Sequence, residues 1–343
     1  CIYKQYITKM SSRLSHNSKS LQKIITSFLM VAFLFSAVPA FAKNIKVPFT
    51  SQAPYGYWGQ PWQDACEETV IAMIDNFYRN KSLDNRQVAR EEILKILNIK
   101  NKTFGWSLDE DANKIVKLIN DFLPWEARIV DNPSLEQIKS EIDNNRPIIL
   151  PAHGKYLHNP HFANGGPQYH TIVLSGYDDK TSEFITHEPG TRYGENYRYT
   201  YQTIMNAMHD YLPANNTKNG SKIAIFTQKE LVTSKNADGD SDKLRKADEL
   251  KHGTITWLSD SDGDGFADGE EVKTGFLPTV AEMRLPNDSL IKSANNPKVY
   301  LLKNNRKHHI LNEQVFLNHG WWWNQIKTVS NMFLNSFDLS IFY

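Results

Sequence analysis

Gln63-Asp64-Ala65-Cys66-Glu67-Glu68-Thr69-Val70 places a cysteine where an apolar helix should begin. Asp64 is a good N-cap residue, and Glu67 three positions on has the spacing of its capping-box partner. The helix that follows carries Val70, Met73, Ile74 and Phe77 on one face. Cys66 then lies in the first turn, where unpaired N–H groups and the helix dipole favour a thiolate. Glu67 and Glu68 oppose that effect, so the direction of the net shift stays open at this point. Just upstream, Tyr55, Tyr57, Trp58 and Trp62 suit either a core or a groove that grips an extended chain.

The chain has 2 cysteines, and the other, Cys1, precedes an export signal. Lys19 and Lys23 lead into the uncharged run Ile24 to Ala37, closed by the small-x-small pattern Ala40-Phe41-Ala42. The run is short for a membrane span, and polar sequence follows at once. Residues 1–42 are therefore expected to be removed, with Met10 as the true start. The product is a secreted or cell-surface protein without a stable transmembrane anchor. An unpaired thiol in an oxidising compartment is either buried and inert or kept because it reacts.

With 343 residues the chain needs more than one core. Its 40% hydrophobic and 22% charged residues are ordinary for a globular protein, and a net charge of +1 gives no basis for a nucleic-acid partner. Downstream of Cys66, Ser107 with Glu110 and Ser134 with Gln137 mark two further capping boxes. The first opens a helix with Leu108, Ala112, Ile115, Ile119 and Phe122, the second one with Leu135, Ile138 and Ile142. Strands come next: Pro147 to Leu150, a hairpin of His170–Tyr177 with Ser182–Glu188, and Ile223 to Phe226. Helices followed by an antiparallel sheet make an α+β domain over residues 43–228.

The hairpin carries chemistry. A turn over Asp178-Asp179-Lys180-Thr181 sets residue 170 opposite residue 188, so His170 and Glu188 are expected to be cross-strand neighbours. A cysteine at a helix N-terminus, a distant histidine and a carboxylate to orient it are the parts of a thiol hydrolase.

Four stretches together, VPFTSQ (47–52), DACEE (64–68), YHTIVLSGYDD (169–179) and EFITHEPGTRYGE (183–195), resemble the bacterial papain-like cysteine peptidases related to the bacteriocin-processing, double-glycine-leader peptidases. The resemblance spans about Lys43 to Gln228. It implies Cys66 as nucleophile, His170 as general base, Glu188 as the orienting carboxylate and Gln52 as an oxyanion-hole donor, with Gln60 and Gln63 as alternates. Two positions depart from the family pattern: Glu67-Glu68 replaces Gly-Pro after the cysteine, and Glu188 replaces an aspartate. The competing reading of His153, His158, His161 and His170 as a zinc site lacks regular spacing and a helical HExxH. A loop that covers substrate suits the glycines and prolines between them better.

Residues 229–283 read as a calcium linker. Asp260-Ser261-Asp262-Gly263-Asp264-Gly265-Phe266-Ala267-Asp268-Gly269-Glu270-Glu271 fits D-x-D-x-D-G-x5-E, so Asp260, Asp262, Asp264, the Phe266 carbonyl, Asp268 and Glu271 are the expected ligands. A shift of 22 positions aligns Asp238, Asp240, Asp242 and Glu249 with that loop. Lys243 and Lys246 replace Gly265 and Asp268 there, so the first copy is expected to be weaker or lost. The segment resembles thrombospondin type 3 repeats, which implies structural calcium and a stiff spacer, with no cofactor for catalysis. Residues 284–343 read as a small α+β accessory module: Val299–Leu302 and His308–Leu311 form a hairpin about Lys303–Lys307, Asn312 caps a helix, and Trp321–Trp323 plug a core or form an exposed patch. The whole reads as an exported thiol hydrolase acting on a peptide or protein, with a possible envelope contact through the last module. The alternative is a non-catalytic surface protein that uses a degenerate papain-like domain to bind peptide.

Overall fold

The computed structural model describes residues 41–214 and 216–341. The positive segment and apolar run expected to form an export signal lie outside the described residues. Helix α1 (Cys66–Tyr78) is buried on all sides, with Phe77 alone left half-exposed, rather than along one stripe. Its apolar residues face the core and its buried polar ones, Asp75 among them, find partners there, and α1 packs between β4 and α2 (Arg86–Phe104). Its start differs from the sequence reading. Trp62–Asp64 forms a 3-10 turn, which moves the N-cap to Ala65 and leaves the helix without a side-chain cap. The carboxylate of Asp64 accepts from Gln60 Nε2 instead.

Asn85 caps α2 by accepting from the N–H groups of Gln87 and Val88 at 2.8 and 3.3 Å. Helix α3 (Ala112–Phe122) begins later than the Ser107–Glu110 pair suggests. Those two side chains do bond each other, but Asp111 is the N-cap, accepting from Lys114 N–H at 3.0 Å, and Leu108 stays exposed outside the helix. The Ser134–Gln137 box of α4 (Leu135–Asp143) forms reciprocally, at 3.2 and 2.8 Å.

Seven strands form one antiparallel sheet: β1 (Ala42–Asn44), β2 (Glu126–Asp131), β3 (Ile148–Ala152), β4 (His170–Asp178), β5 (Glu183–His187), β6 (Tyr197–Thr200) and β7 (Ile223–Gln228). The order is β2-β7-β3-β4-β5-β6, and β1 extends the ladder along β4. Helix α5 (Tyr201–Ala207) follows β6, capped by Thr200. The fold class is α+β, as the order of helices and strands predicts.

The β4–β5 pairing is shifted from the expected register. Asp178 faces Glu183 at the turn, and beyond a bulge at Ser175 Val173 faces His187. Extended to the strand ends, this puts position 190 opposite His170, two residues from the expected partner. A bulge changes parity by one residue, and here it restores the parity that lets His170 and Glu188 share a face.

Two short helices, α6 (Lys246–His252) and α7 (Asp268–Thr274), follow, each ended by a glycine in the left-handed region, Gly253 at φ +79 and Gly275 at φ +90. A second sheet has the order β11-β8-β9-β10-β12, from β8 (Leu290–Ser293), β9 (Tyr300–Lys303), β10 (Arg306–His309), β11 (Lys327–Val329) and β12 (Asp338–Ile341). The β9–β10 turn is tighter than Lys303–Lys307: Asn304 and Asn305, at φ +49 and +56, make a two-residue turn of the kind hairpins favour. Asn312 caps α8 (Glu313–Asn318) as expected, and α9 (Asn331–Asn335) precedes β12. Trp321 and Trp323 both pack on Phe316, at 5.7 and 4.3 Å, although Trp323 keeps an exposed side, and Trp322 is exposed. No helix among the described residues is long and apolar enough to cross a membrane.

Candidate active site

Cys66 opens α1 with only 3% of its surface exposed. Its Sγ–H donates to Glu67 Oε2 at 2.9 Å, and Glu67 Oε1 accepts from Glu110 N–H at 2.8 Å. Behind them, Glu68 and Lys100 form a buried ion pair at 2.8 Å, and Lys100 also donates to the Ser107 carbonyl at 2.9 Å. Lys100 comes from α2, and the loop between α2 and α3 lays Asp109 and Glu110 beside the α1 N-terminus. Burial pushes the Cys66 thiol well above its ordinary value, and the charges of Glu67 and Asp109 push it further. Burial, then Asp64 and Glu68, push Asp109 up to about 6. Against this the helix dipole offers roughly 0.3–2 kcal/mol. The acidic surround wins, and the resting sulfur is a neutral thiol.

His170 heads β4 and pairs along the backbone with Ala152. Its Nε2 meets Glu188 Oε1, and both groups are buried. Glu188 also accepts from Gly190 N–H at 2.9 Å and from the Tyr199 hydroxyl at 3.0 Å, while Asn159 Nδ2 donates to that hydroxyl at 2.7 Å. A carboxylate surrounded by donors acts as acceptor, so the proton of the imidazole belongs on Nε2 and Nδ1 is left with its lone pair. Phe162 stands edge-on to the ring at 5.4 Å. Gly190 is required by space: a Cβ there would lie 2.9 Å from Phe162 and 3.1 Å from both Glu188 Oε1 and His170 Cε1.

Gln52, Cys66 and His170 line a single cavity of about 730 Å³, together with Trp58, Asp109 and Tyr193. Gln52 Nε2 donates to the carbonyls of Trp62 and Gln63, both at 2.9 Å, and its Oε1 is buried without a partner. Both amide hydrogens therefore hold the turn that delivers Cys66. Gln63 also lines the cavity, while Gln60 is tied to Asp64. Of the upstream aromatics, Trp58 borders the cavity, Trp62 packs against the core, and Tyr55 and Tyr57 are exposed. The four histidines do not converge. His153 bonds Gln168 at 3.0 Å and His161 stacks near Tyr193 at 4.8 Å; no histidine belongs to a metal-holding cluster among the described residues. His161, Phe162, Asn164 and Pro167 instead form one wall of the cavity. Sequence reasoning missed Asp109, because its place at the cavity depends on the late start of α3, and it missed Tyr199 and Asn159 behind Glu188.

Residues 44–219 match the sequence profile of the Peptidase_C39 like family. The chain belongs to that family. C39-like proteins are cysteine peptidase-like hydrolases, and a cysteine at a buried helix N-terminus that shares a cavity with a carboxylate-bound imidazole suits that chemistry. The chain is also similar to a solved structure from Bacillus anthracis described as a C39-like peptidase, with 18% identity, a TM-score of 0.38, and coverage of 55% of this chain and 98% of that one. No curated protein matches.

Outside the C39-like match, Asp260, Asp262 and Asp264 bring carboxylate oxygens within 4.8 Å of one another. Asp262 Oδ2, Asp264 Oδ2 and Glu271 Oε2 are buried without partners, and Gly265 makes the turn at φ +102. Burial, then the neighbouring aspartates, push Glu271 up to about 8. That donor set fits a hard cation bound by oxygen. Asp268 is placed differently: its carboxylate accepts from Ser261 N–H at 2.8 Å and from Ser261 Oγ at 2.5 Å, which braces the loop.

Proposed function

We propose that this C39-like protein is an exported thiol hydrolase, a cysteine peptidase or amidase acting on a peptide or protein through Cys66, His170 and Glu188. The observation that carries the reading is that His170, held by Glu188 through Nε2, lines the same cavity as Cys66, which leaves the Nδ1 lone pair as the available base. Substrate entry displaces the Cys66–Glu67 bond, and Nδ1 takes the thiol proton. The sulfur then attacks the carbonyl carbon and the imidazolium returns its proton to the leaving amine. Water hydrolyses the thioester, with His170 again as base. The Cys66 backbone N–H and Gln52 serve the oxyanion, Gln52 by releasing one of its two carbonyls; losing one such donor costs about 10²–10³ in rate.

Calcium in the Asp260–Glu271 loop, resembling a thrombospondin type 3 repeat, acts as a structural brace, with Asp260, Asp262, Asp264, the Phe266 carbonyl and Glu271 as ligands. The chemistry it supplies is charge neutralisation among those carboxylates. The last module is an attachment element for a cell-envelope component.

The Cys66–Glu67 bond favours a second reading, in which the thiol stays neutral and the cavity only binds peptide. Incubating residues 43–343 with a mixed peptide library and following new termini by mass spectrometry separates the two. Cleavage lost in Cys66→Ala is expected; cleavage retained in Cys66→Ala contradicts the hydrolase reading, and capture without cleavage supports the binding one.

A further inference from the structure

The loop ahead of α6 is expected to be weaker or lost as an ion site, because lysines replace Gly265 and Asp268 of the second copy. Neither lysine stands in the way. Lys243 adopts φ +78, close to the left-handed turn that Gly265 makes. Lys246 turns out of the loop altogether: its Nζ donates to the carbonyls of Asn120 and Leu123 at 2.6 and 3.1 Å and to Ser234 Oγ at 2.7 Å. The carboxylates it leaves behind are intact. Asp238, Asp240 and Asp242 bring oxygens within 4.8 Å of one another, as their counterparts do in the second loop.

Glu249 is what points to a ligand. It is 0% exposed, and both of its carboxylate oxygens are buried without a partner. Apart from burial, the charges that act on it most strongly are those of Asp240, Asp242 and Asp238, so its carboxylate lies near the cluster. Asp240 likewise has both oxygens buried and unpartnered. The nearby arginine, Arg245, is spent on Asp248 at 2.7 Å. Sealing an unpaired carboxylate among others costs several kcal/mol, and a hard divalent cation removes that cost.

We propose that Asp238, Asp240, Asp242 and Glu249 hold a second calcium ion, with the Leu244 carbonyl in the place that Phe266 takes in the other loop. All five donors are oxygen, and a twelve-residue loop of this kind suits calcium better than the smaller, more demanding magnesium. The site also has a mechanical role. Asp242 Oδ2 accepts from Gly269 N–H at 2.8 Å, locking the first loop to the start of α7. Lys246 and Thr256 fasten the same segment to the C-terminal end of α3, Thr256 through the Phe122 carbonyl. The first ion thereby clamps the linker to the C39-like fold. The proposal rests on the first loop's own residues and goes beyond the single calcium site proposed above.

The test is calorimetric titration of chelator-stripped residues 43–343 with calcium chloride, alongside Glu249→Gln and Glu271→Gln. The wild type should bind two ions per chain, and each variant should weaken one site by at least roughly tenfold. One ion, kept in Glu249→Gln and lost in Glu271→Gln, overturns this proposal and leaves the second-loop reading intact. No ion overturns both. Should Glu249→Gln fail to fold, Asp240→Asn takes its place, and the wild-type stoichiometry decides on its own.

Discussion

At the residue scale the site is a contest between a helix N-terminus and the acids around it. Cys66, His170 and Glu188 are legible in the sequence because each sits in a recognisable local context. Asp109 is not, since its approach to Cys66 depends on where α3 begins, and that is set by Asp111 rather than by the Ser107–Glu110 pair. Because Asp109 adds negative charge beside the thiol, Asp109→Asn should lower the Cys66 pKa. The sign follows from charge: a neighbouring anion disfavours the thiolate, so removing it favours ionisation. With Asp109 titrating at about 6, the gain over wild type should be full at pH 7–8 and fade below pH 6, where the wild-type carboxylate is itself protonated. Thiol alkylation followed across that range checks it. Gly190→Ala should slow hydrolysis by about 10²-fold, since displacing a catalytic group by about 1 Å costs that much. Its thermal stability, measured in parallel, should change far less than its rate.

At the scale of elements, capping boxes and alternation locate α4, the β4–β5 hairpin and α8 well. They miss α2, whose Asn85 cap lacks the glutamate or glutamine of a capping box, and β1, which is strand only because β4 offers it an edge. Strand β12 is missed too: Leu339 and Ile341 alternate with Asp338 and Ser340 over only four residues, and the strand is fixed by parallel pairing with β10. The Ser175 bulge is invisible in the sequence, yet without it His170 and Glu188 would point to opposite faces. The proposed calcium sites belong to this scale too. An ion at about 100 times its Kd contributes about 2.7 kcal/mol, so chelation should lower the melting temperature by about 5–10 °C. Differential scanning calorimetry with and without EDTA checks it, and added calcium should restore the transition.

At the scale of the molecule, one large core holds the C39-like fold, and two small ones hold the second sheet. In the sequence, composition shifts where the acidic loops begin. What it does not reveal is how the linker joins both sides: Lys246 and Trp257 pack toward the first core, Phe276 toward the second. Glu282, 1% exposed, accepts from Ser330 N–H and from Ser330 Oγ, the latter at 2.7 Å. Glu282→Ala should therefore cost about 1–3 kcal/mol by stranding buried donors. It should raise tryptic cleavage after Arg284 while leaving Cys66 alkylation unchanged. The fold brings α1 and β4 to one cavity that Cys66 and His170 both line, and the proposed mechanism needs His170 to serve Cys66 once substrate displaces the bond from the thiol to Glu67. The pH profile of Cys66 alkylation in wild type, Glu67→Gln, His170→Ala and the double variant tests that claim. Glu67→Gln should move the thiol pKa down from its raised wild-type value, and His170→Ala should abolish much of that gain. Profiles indifferent to His170 in both backgrounds would contradict it.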